Sequence, residues 1–179
     1  MNPNMKKLTY SALFLALAFI LPFFTGQIPQ IGSMLSPMHL PVMLCGFVCG
    51  GPWGLAVGFA APLLRSLTLG MPPLFPTALA MAFELAAYGL FCGVFYDLLR
   101  KKCSSLKACY IALASAMLAG RLVWGAAQFV LLGVSGGSFS FSAFLAGAFF
   151  NAVPAIVVQL ALVPAIVTLL ERAGARARA

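Results

Sequence analysis

The sequence predicts an all-α membrane protein, folded as a compact bundle of six transmembrane helices with both termini in the cytoplasm. Of the 179 residues, 63% are hydrophobic and 8% are charged, whereas soluble domains average about 45–50% apolar and about 25% charged residues. The apolar residues form continuous runs, whereas barrel strands would alternate apolar and polar residues in segments of about 10. Composition and pattern together therefore predict membrane helices.

Six apolar runs are the expected spans, and breakers such as Gly50-Gly51-Pro52 and the proline-rich stretch 70–76 separate them. The spans cover residues 8–24, 38–51, 53–69, 77–98, 108–133 and 142–170. No linker or low-complexity segment divides the chain, so we expect residues 1–179 to form one membrane domain.

The first span resembles a signal peptide, because Lys6 and Lys7 precede an apolar stretch. The segment that follows it, 25–32, offers no small-x-small cleavage site, so we expect a retained first helix. The second span is short, about 20 Å against a hydrocarbon core of about 30 Å. The second and third runs therefore form either two tilted spans, which we favour, or a re-entrant hairpin.

The basic residues indicate the orientation of the bundle. Nine of the eleven cluster beside apolar runs: Lys6, Lys7, Arg100, Lys101, Lys102, Lys107, Arg172, Arg176 and Arg178. With six spans, all three clusters fall on one side of the membrane, which the positive-inside rule assigns to the cytoplasm. This distribution is typical of membrane anchoring rather than of a nucleic-acid-binding face.

The polar residues inside the spans concentrate in the outer half of the bundle. Glu84 is expected about 10 Å below the outer surface, Gln128 about 7 Å, Asn151 about 13 Å, and Arg121 near the midplane. Spacings of three and four place Arg121, Trp124 and Gln128 on one face of the fifth span, and Met81, Glu84 and Tyr88 on one face of the fourth. His39 and Arg65 belong to the outer ends of the second and third spans.

These residues predict an outward-facing polar, aromatic-lined pocket for a small molecule, since charged groups in spans face the interior and pair there. The predicted binding residues are Glu84, Arg121, Trp124, Asn151, Gln128, His39, Arg65, Tyr88 and Gln27. The alternative is that the Glu84–Arg121 pair only ties two helices together. The segment 27–37 carries Gln27, Gln30 and Ser33 among apolar residues and is expected to gate the pocket.

A catalytic or metal-binding role has little support in the sequence. Glu84 has no partner carboxylate within the membrane, and the single histidine lacks a neighbouring nucleophile–base set. The five cysteines are expected to be small core residues rather than metal ligands or disulfides. We therefore expect no enzyme, no cofactor and no metal; an intramembrane enzyme, or a small stand-alone carrier or channel, is the alternative.

With these features the chain resembles the substrate-binding S components of energy-coupling factor (ECF) transporters. The resemblance rests on the size, the outer polar pocket, the segment His39-Leu-Pro-Val-Met-Leu-Cys-Gly46, the turn Gly51-Pro-Trp-Gly54 with Gly58, and the first span. There, Ala12 and Ala16 match the small-x-x-x-small surface on which the family docks its transmembrane coupling subunit.

The resemblance implies a bacterial plasma-membrane protein that works with a transmembrane coupling subunit and two cytoplasmic ATPases. The chain itself has no G-x-x-x-x-G-K-[ST] loop for ATP hydrolysis. Nickel and cobalt members carry an N-terminal histidine that this sequence lacks, which favours an organic substrate. Aromatic rings with an acid, bases and amides suit a flat polar heterocycle, such as vitamin B6 or a thiamine precursor, with pantothenate and queuosine-type bases as alternatives.

Overall fold

The computed structural model describes residues 3–25, 36–136, 140–147 and 152–174, and these form helices joined by short turns, with no strand among them. A 3₁₀ turn, Leu21–Thr25, continues the first helix, and a widened turn, Leu74–Ala78, leads into the fourth. The helices are α1 (Pro3–Ile20), α2 (His39–Cys49), α3 (Gly51–Leu69), α4 (Leu79–Arg100), α5 (Ser105–Val134), the short α6 (Phe141–Leu145) and α7 (Val153–Arg172).

Four stretches of the described chain are long and apolar enough to cross a membrane: Asn4–Phe24, Leu74–Arg100, Ser105–Val134 and Val153–Arg172. The helix α2 has 11 residues, about 16 Å in length, and cannot cross a core of about 30 Å alone. The helix α3 has 19 residues but is not among the four. The all-helical membrane fold is confirmed, while six complete spans and the orientation of the termini remain predictions.

The last predicted span, 142–170, is wrong as one continuous helix. The chain instead forms α6, and α7 begins only at Val153, with Pro154 in its first turn. Proline has no N–H group to donate to the preceding turn, so it is accommodated in the first turn of a helix but not in its middle. Residues 148–151 between the two helices lie outside the described residues.

The helix α4 is the centre of the bundle, since 61% of its most apolar window is buried, against 22–28% for the other three long helices. Glycines allow its backbone to touch α2 and α3. A Cβ atom at Gly89 would overlap the carbonyl group of Gly54, and one at Gly58 would overlap the carbonyl of Leu85. Such small residues let helices pack closely where lipid removes the hydrophobic driving force.

Gly89→Ala is therefore expected to destabilise the protein, because the new methyl group would separate α4 from α3. Overpacking of this kind typically costs about 1–3 kcal/mol. Gly133→Ala is a matched control, since nothing lies within 4 Å of a Cβ atom built there. Thermal unfolding in detergent should show a lower midpoint for Gly89→Ala only. Equal midpoints for the two variants would contradict this close packing.

A hydrogen-bonded network joins three helices at the opposite end of the bundle from Glu84. The Tyr96 hydroxyl of α4 donates to Glu171 Oε1 over 2.8 Å, and Ser105 Oγ of α5 donates to Glu171 Oε2 over 2.5 Å. The Tyr96 and Ser105 oxygens also lie 2.6 Å apart. Because Glu171 belongs to α7, this network connects α4, α5 and α7 at one end of the bundle and fixes their relative positions there.

Candidate functional site

The site is built around an ion pair between α4 and α5. Glu84 lies 16 residues before the end of α4 at Arg100, and Arg121 lies 16 residues after the start of α5 at Ser105. Both are therefore about 24 Å from the connection between the helices, at the same level in the bundle. Arg121 Nη1 lies 2.9 Å from Glu84 Oε1, and the two residues are 8% and 2% exposed.

His39, from the first turn of α2, completes a three-helix cluster. Its Nε2 atom lies 3.6 Å from Glu84 Oε1, and its ring meets that of Tyr88 edge to face, with centroids 5.2 Å apart. The Tyr88 ring packs in turn on Gly120 of α5. Tyr88 also interacts with both Glu84 and Arg121. Four of the predicted site residues, Glu84, Arg121, His39 and Tyr88, are thus brought together.

Several buried polar atoms of this cluster have no hydrogen-bond partner within the described part of the chain. They are both ring nitrogens of His39, Arg121 Nε, and Glu84 Oε1, which is held by its ion pair with Arg121; Gln128 Oε1, two turns further along α5, is also without a hydrogen bond. A buried polar group without a partner costs about 1–3 kcal/mol. Such a concentration of them marks a place where a polar ligand would be stabilising.

Trp124 and Gln128 extend the cluster along the same face of α5. The Trp124 ring stacks on Phe144 of α6, with centroids 6.4 Å apart and planes at 26°, and it packs against Gly147. The Phe144 ring covers Gly125. Phe144 therefore adds a second aromatic ring beside Trp124, which is one turn along α5 from Arg121, and the prediction of one long final span did not anticipate this contact.

The expected pocket is not open in this structure. Glu84, His39 and Tyr88 are each 3% exposed or less, so the cluster is occluded from solvent. A cavity of about 740 Å³ lies elsewhere, between Lys7 and Arg100 at the other end of the bundle. A ligand would therefore reach the Glu84 cluster only after a movement of the surrounding residues.

Arg65 is buried but is not part of this cluster. Its Nη1 atom donates to the carbonyl oxygen of Phe19 over 2.9 Å, and its guanidinium lies 5.0 Å from the ring centroid of Phe23. These contacts tie α3 to the C-terminal end of α1, a structural role that the sequence did not show. Gln27, Asn151 and residues 27–35 of the expected gate lie outside the described residues.

Gln159 of α7 is a polar residue that the sequence assigned to no site. It is 1% exposed, and its Nε2 atom has no hydrogen-bond partner within the described residues. It lies 12 residues, or about 18 Å, from Glu171, whereas Arg121 lies about 24 Å from Ser105. Glu171 and Ser105 are hydrogen-bonded and therefore lie at one level of the bundle. Gln159 is thus only about 6 Å closer to that level than Arg121 is. Gln159 lies four residues after Ala155 and four residues before Val163, both of which are buried. This helical spacing is the sequence signal that places Gln159 on the buried face.

The chemistry of the cluster favours binding. The described residues contain no group of three or more His, Cys, Asp or Glu side chains that could hold a metal ion. All five cysteines are described, and they form no disulfide. One carboxylate, one guanidinium, one imidazole and amides can orient a polar molecule through hydrogen bonds and charge.

The fold is that of a multi-pass helical membrane protein. The chain matches the family model described as "ECF transporter, substrate-specific component" over residues 6–167, and it belongs to this family. No curated protein and no solved structure matches the chain. Membership makes it the substrate-binding subunit of a transporter that also contains transmembrane and ATPase modules.

Proposed function

We propose that the protein captures a small, flat, polar heterocycle of the vitamin kind from outside the bacterial plasma membrane. A pyridine or pyrimidine, such as vitamin B6 or a thiamine precursor, fits best. In this proposal six helices span the membrane, both termini are cytoplasmic, and residues 27–37 act as the gate. The observation that carries the proposal is the occluded Glu84–Arg121 ion pair beside His39, whose ring nitrogens have no hydrogen-bond partner among the described residues.

The residues take complementary roles in this proposal. Arg121 and Glu84 hold acceptor and donor groups on the substrate, and the proton-bearing nitrogen of His39 offers a further contact. Trp124 provides an aromatic face for stacking, a geometry that it already adopts with Phe144. Gln128 and Asn151 would fix the orientation of the ring. Arg65 and Gln27 are the remaining members of the proposed binding set. The contacts of Arg65 with Phe19 and Phe23 favour a supporting role for it, in which it holds α3 against α1.

The exposed face of α1 is the proposed dock for the transmembrane coupling subunit. Ala12 and Ala16 are both exposed there, while Ser11, Phe14 and Ala18 face the core. Close backbone approach at small residues lets dispersion contacts accumulate between helices. The chain contains a second exposed pair with the same spacing, Ala161 and Ala165 on α7. Spacing alone does not choose between the pairs, and the family resemblance favours α1.

Mass spectrometry of small molecules that copurify with the protein in mild detergent tests the substrate. The compound found should quench tryptophan fluorescence when it is added back to ligand-free protein. The chain has two tryptophans, and Trp53 belongs to the opposite end of the bundle. We therefore expect Trp124→Phe to remove the quenching and Trp53→Phe to retain it. Quenching that survives in Trp124→Phe would contradict a stacking role for Trp124.

A further inference from the structure

The cavity of about 740 Å³ at the end of the bundle opposite Glu84 has a basic lining. Lys7 of α1 and Arg100 with Lys101 at the end of α4 contribute three cations, and Asp97 contributes one carboxylate. The formal charge of the lining is therefore 3 − 1 = +2. Trp53 and Val94 add an aromatic ring and an apolar wall. None of these residues belongs to the Glu84 cluster.

The cavity exists because the α2–α3 hairpin is shorter than its neighbours. A Cβ atom at Gly93 would overlap the backbone of Gly50 and Gly51, so the turn of the hairpin lies against α4 at that level. Gly93 lies seven residues before the end of α4 at Arg100, about 10 Å along the helix. The hairpin therefore ends about two helical turns before the end of α4, and α4 and the start of α1 flank the remaining space.

We propose that this cavity binds the headgroup of an anionic phospholipid, with the phosphate held by Lys7, Arg100 and Lys101. Lys7, Arg100 and Lys101 lie at the ends of membrane helices. Lipid phosphates lie at this level of a bilayer, so the cavity is placed to contact them. Basic pockets between membrane helices recognise such headgroups by charge. Trp53 suits the boundary between headgroups and acyl chains, and Val94 can contact the apolar part of the lipid.

The helix α3 starts at the floor of the cavity, beside the end of α2 at Cys49, and the partial negative charge of that end offsets part of the positive charge of the α3 N-terminus. The helix α3 begins at Gly51 with Pro52 in its first turn, and no side chain caps it. The first N–H groups of a helix have no intrahelical acceptor and carry partial positive charge. The net charge of +2 on the lining favours an anionic headgroup over a zwitterionic or neutral one. This inference is independent of the substrate, because it requires only that this end of the bundle lies at a membrane surface.

The test uses the Trp124→Phe chain, in which Trp53 is the single tryptophan, in mixed micelles. Phosphatidylglycerol with brominated acyl chains should quench Trp53 at lower mole fraction than brominated phosphatidylcholine. Each cation near an anionic surface contributes about a fivefold preference, so Arg100→Gln with Lys101→Gln should reduce the preference roughly 25-fold. Lys102→Gln with Lys107→Gln removes the same charge from residues that do not line the cavity, so it should reduce the preference measured at Trp53 by a smaller factor.

Native mass spectrometry of the wild-type chain provides a second measurement that does not depend on the tryptophan variant, and should show retained phosphatidylglycerol. Equal quenching by both lipids, or equal loss of preference in the two double variants, would overturn the proposal. If millimolar inorganic phosphate relieved the quenching of Trp53 and neither lipid were preferred, the cavity would be a free-phosphate site instead. Variants that keep the lipid preference but no longer copurify with the coupling subunit would assign these cations to that partner, and would also overturn it.

Discussion

Glu84→Gln is expected to lower both the folded yield and the affinity for the retained ligand, and Arg121→Gln is expected to do the same. Each single variant leaves one buried charge without its partner, 2.9 Å away in the native chain. Removing one member of a buried pair typically costs about 3–5 kcal/mol. The double variant Glu84→Gln/Arg121→Gln should be more stable than either single variant, because no buried charge remains unpaired. Thermal unfolding and ligand titration measure the two effects separately.

The exchange variant Glu84→Arg/Arg121→Glu separates a helix stitch from a ligand contact. It keeps the opposite charges on the same two helices, so a purely structural pair would tolerate the exchange and binding would persist. We expect folded protein that no longer binds the substrate, since the positions of donor and acceptor groups are reversed. Normal binding by the exchange variant would reduce the pair to a structural role. Unchanged affinity and yield in both single Gln variants would exclude any role at all.

Ala12→Trp combined with Ala16→Trp is expected to abolish uptake by the complete transporter, while the isolated protein still binds its substrate. Both alanines are exposed on α1, so bulky rings there can be accommodated without disturbing the core residues Phe14 and Ala18. The same rings would hold a partner helix away from the α1 backbone. Transport assays with the coupling module, paired with ligand titration of the isolated chain, check the two halves of this expectation.

The matched control is Ala161→Trp with Ala165→Trp, which makes the same change at the same spacing on the exposed face of α7. We expect this variant to support uptake. Loss of uptake here and not with the α1 variant would move the dock to α7. If the α1 variant lost substrate binding as well, its alanines would be part of the internal packing.

The sequence alone determined the class of the protein and the positions of most helices. Lipid offers no hydrogen-bond partners to the backbone, so a chain with long apolar runs must form helices there, and their bounds follow composition. The sequence also placed Glu84 about 10 Å below the outer surface and Arg121 near the midplane, about one helical turn apart in depth, by counting residues from the outer ends of their spans. A charge at that depth needs a partner, which makes the pair predictable.

Only the tertiary structure decided which side chains meet across helices. His39 contacts Glu84 and Tyr88. Arg65 instead contacts Phe19 and Phe23. Gln159 lies near the level of Arg121. The sequence gives each residue a depth and a face on its own helix, but contacts between helices depend on their rotation, tilt and separation. Those quantities are set by close packing, such as the backbone contact of Gly54 with Gly89, which joins residues far apart in the chain. The occluded cluster and the basic cavity at the short hairpin both follow from that packing.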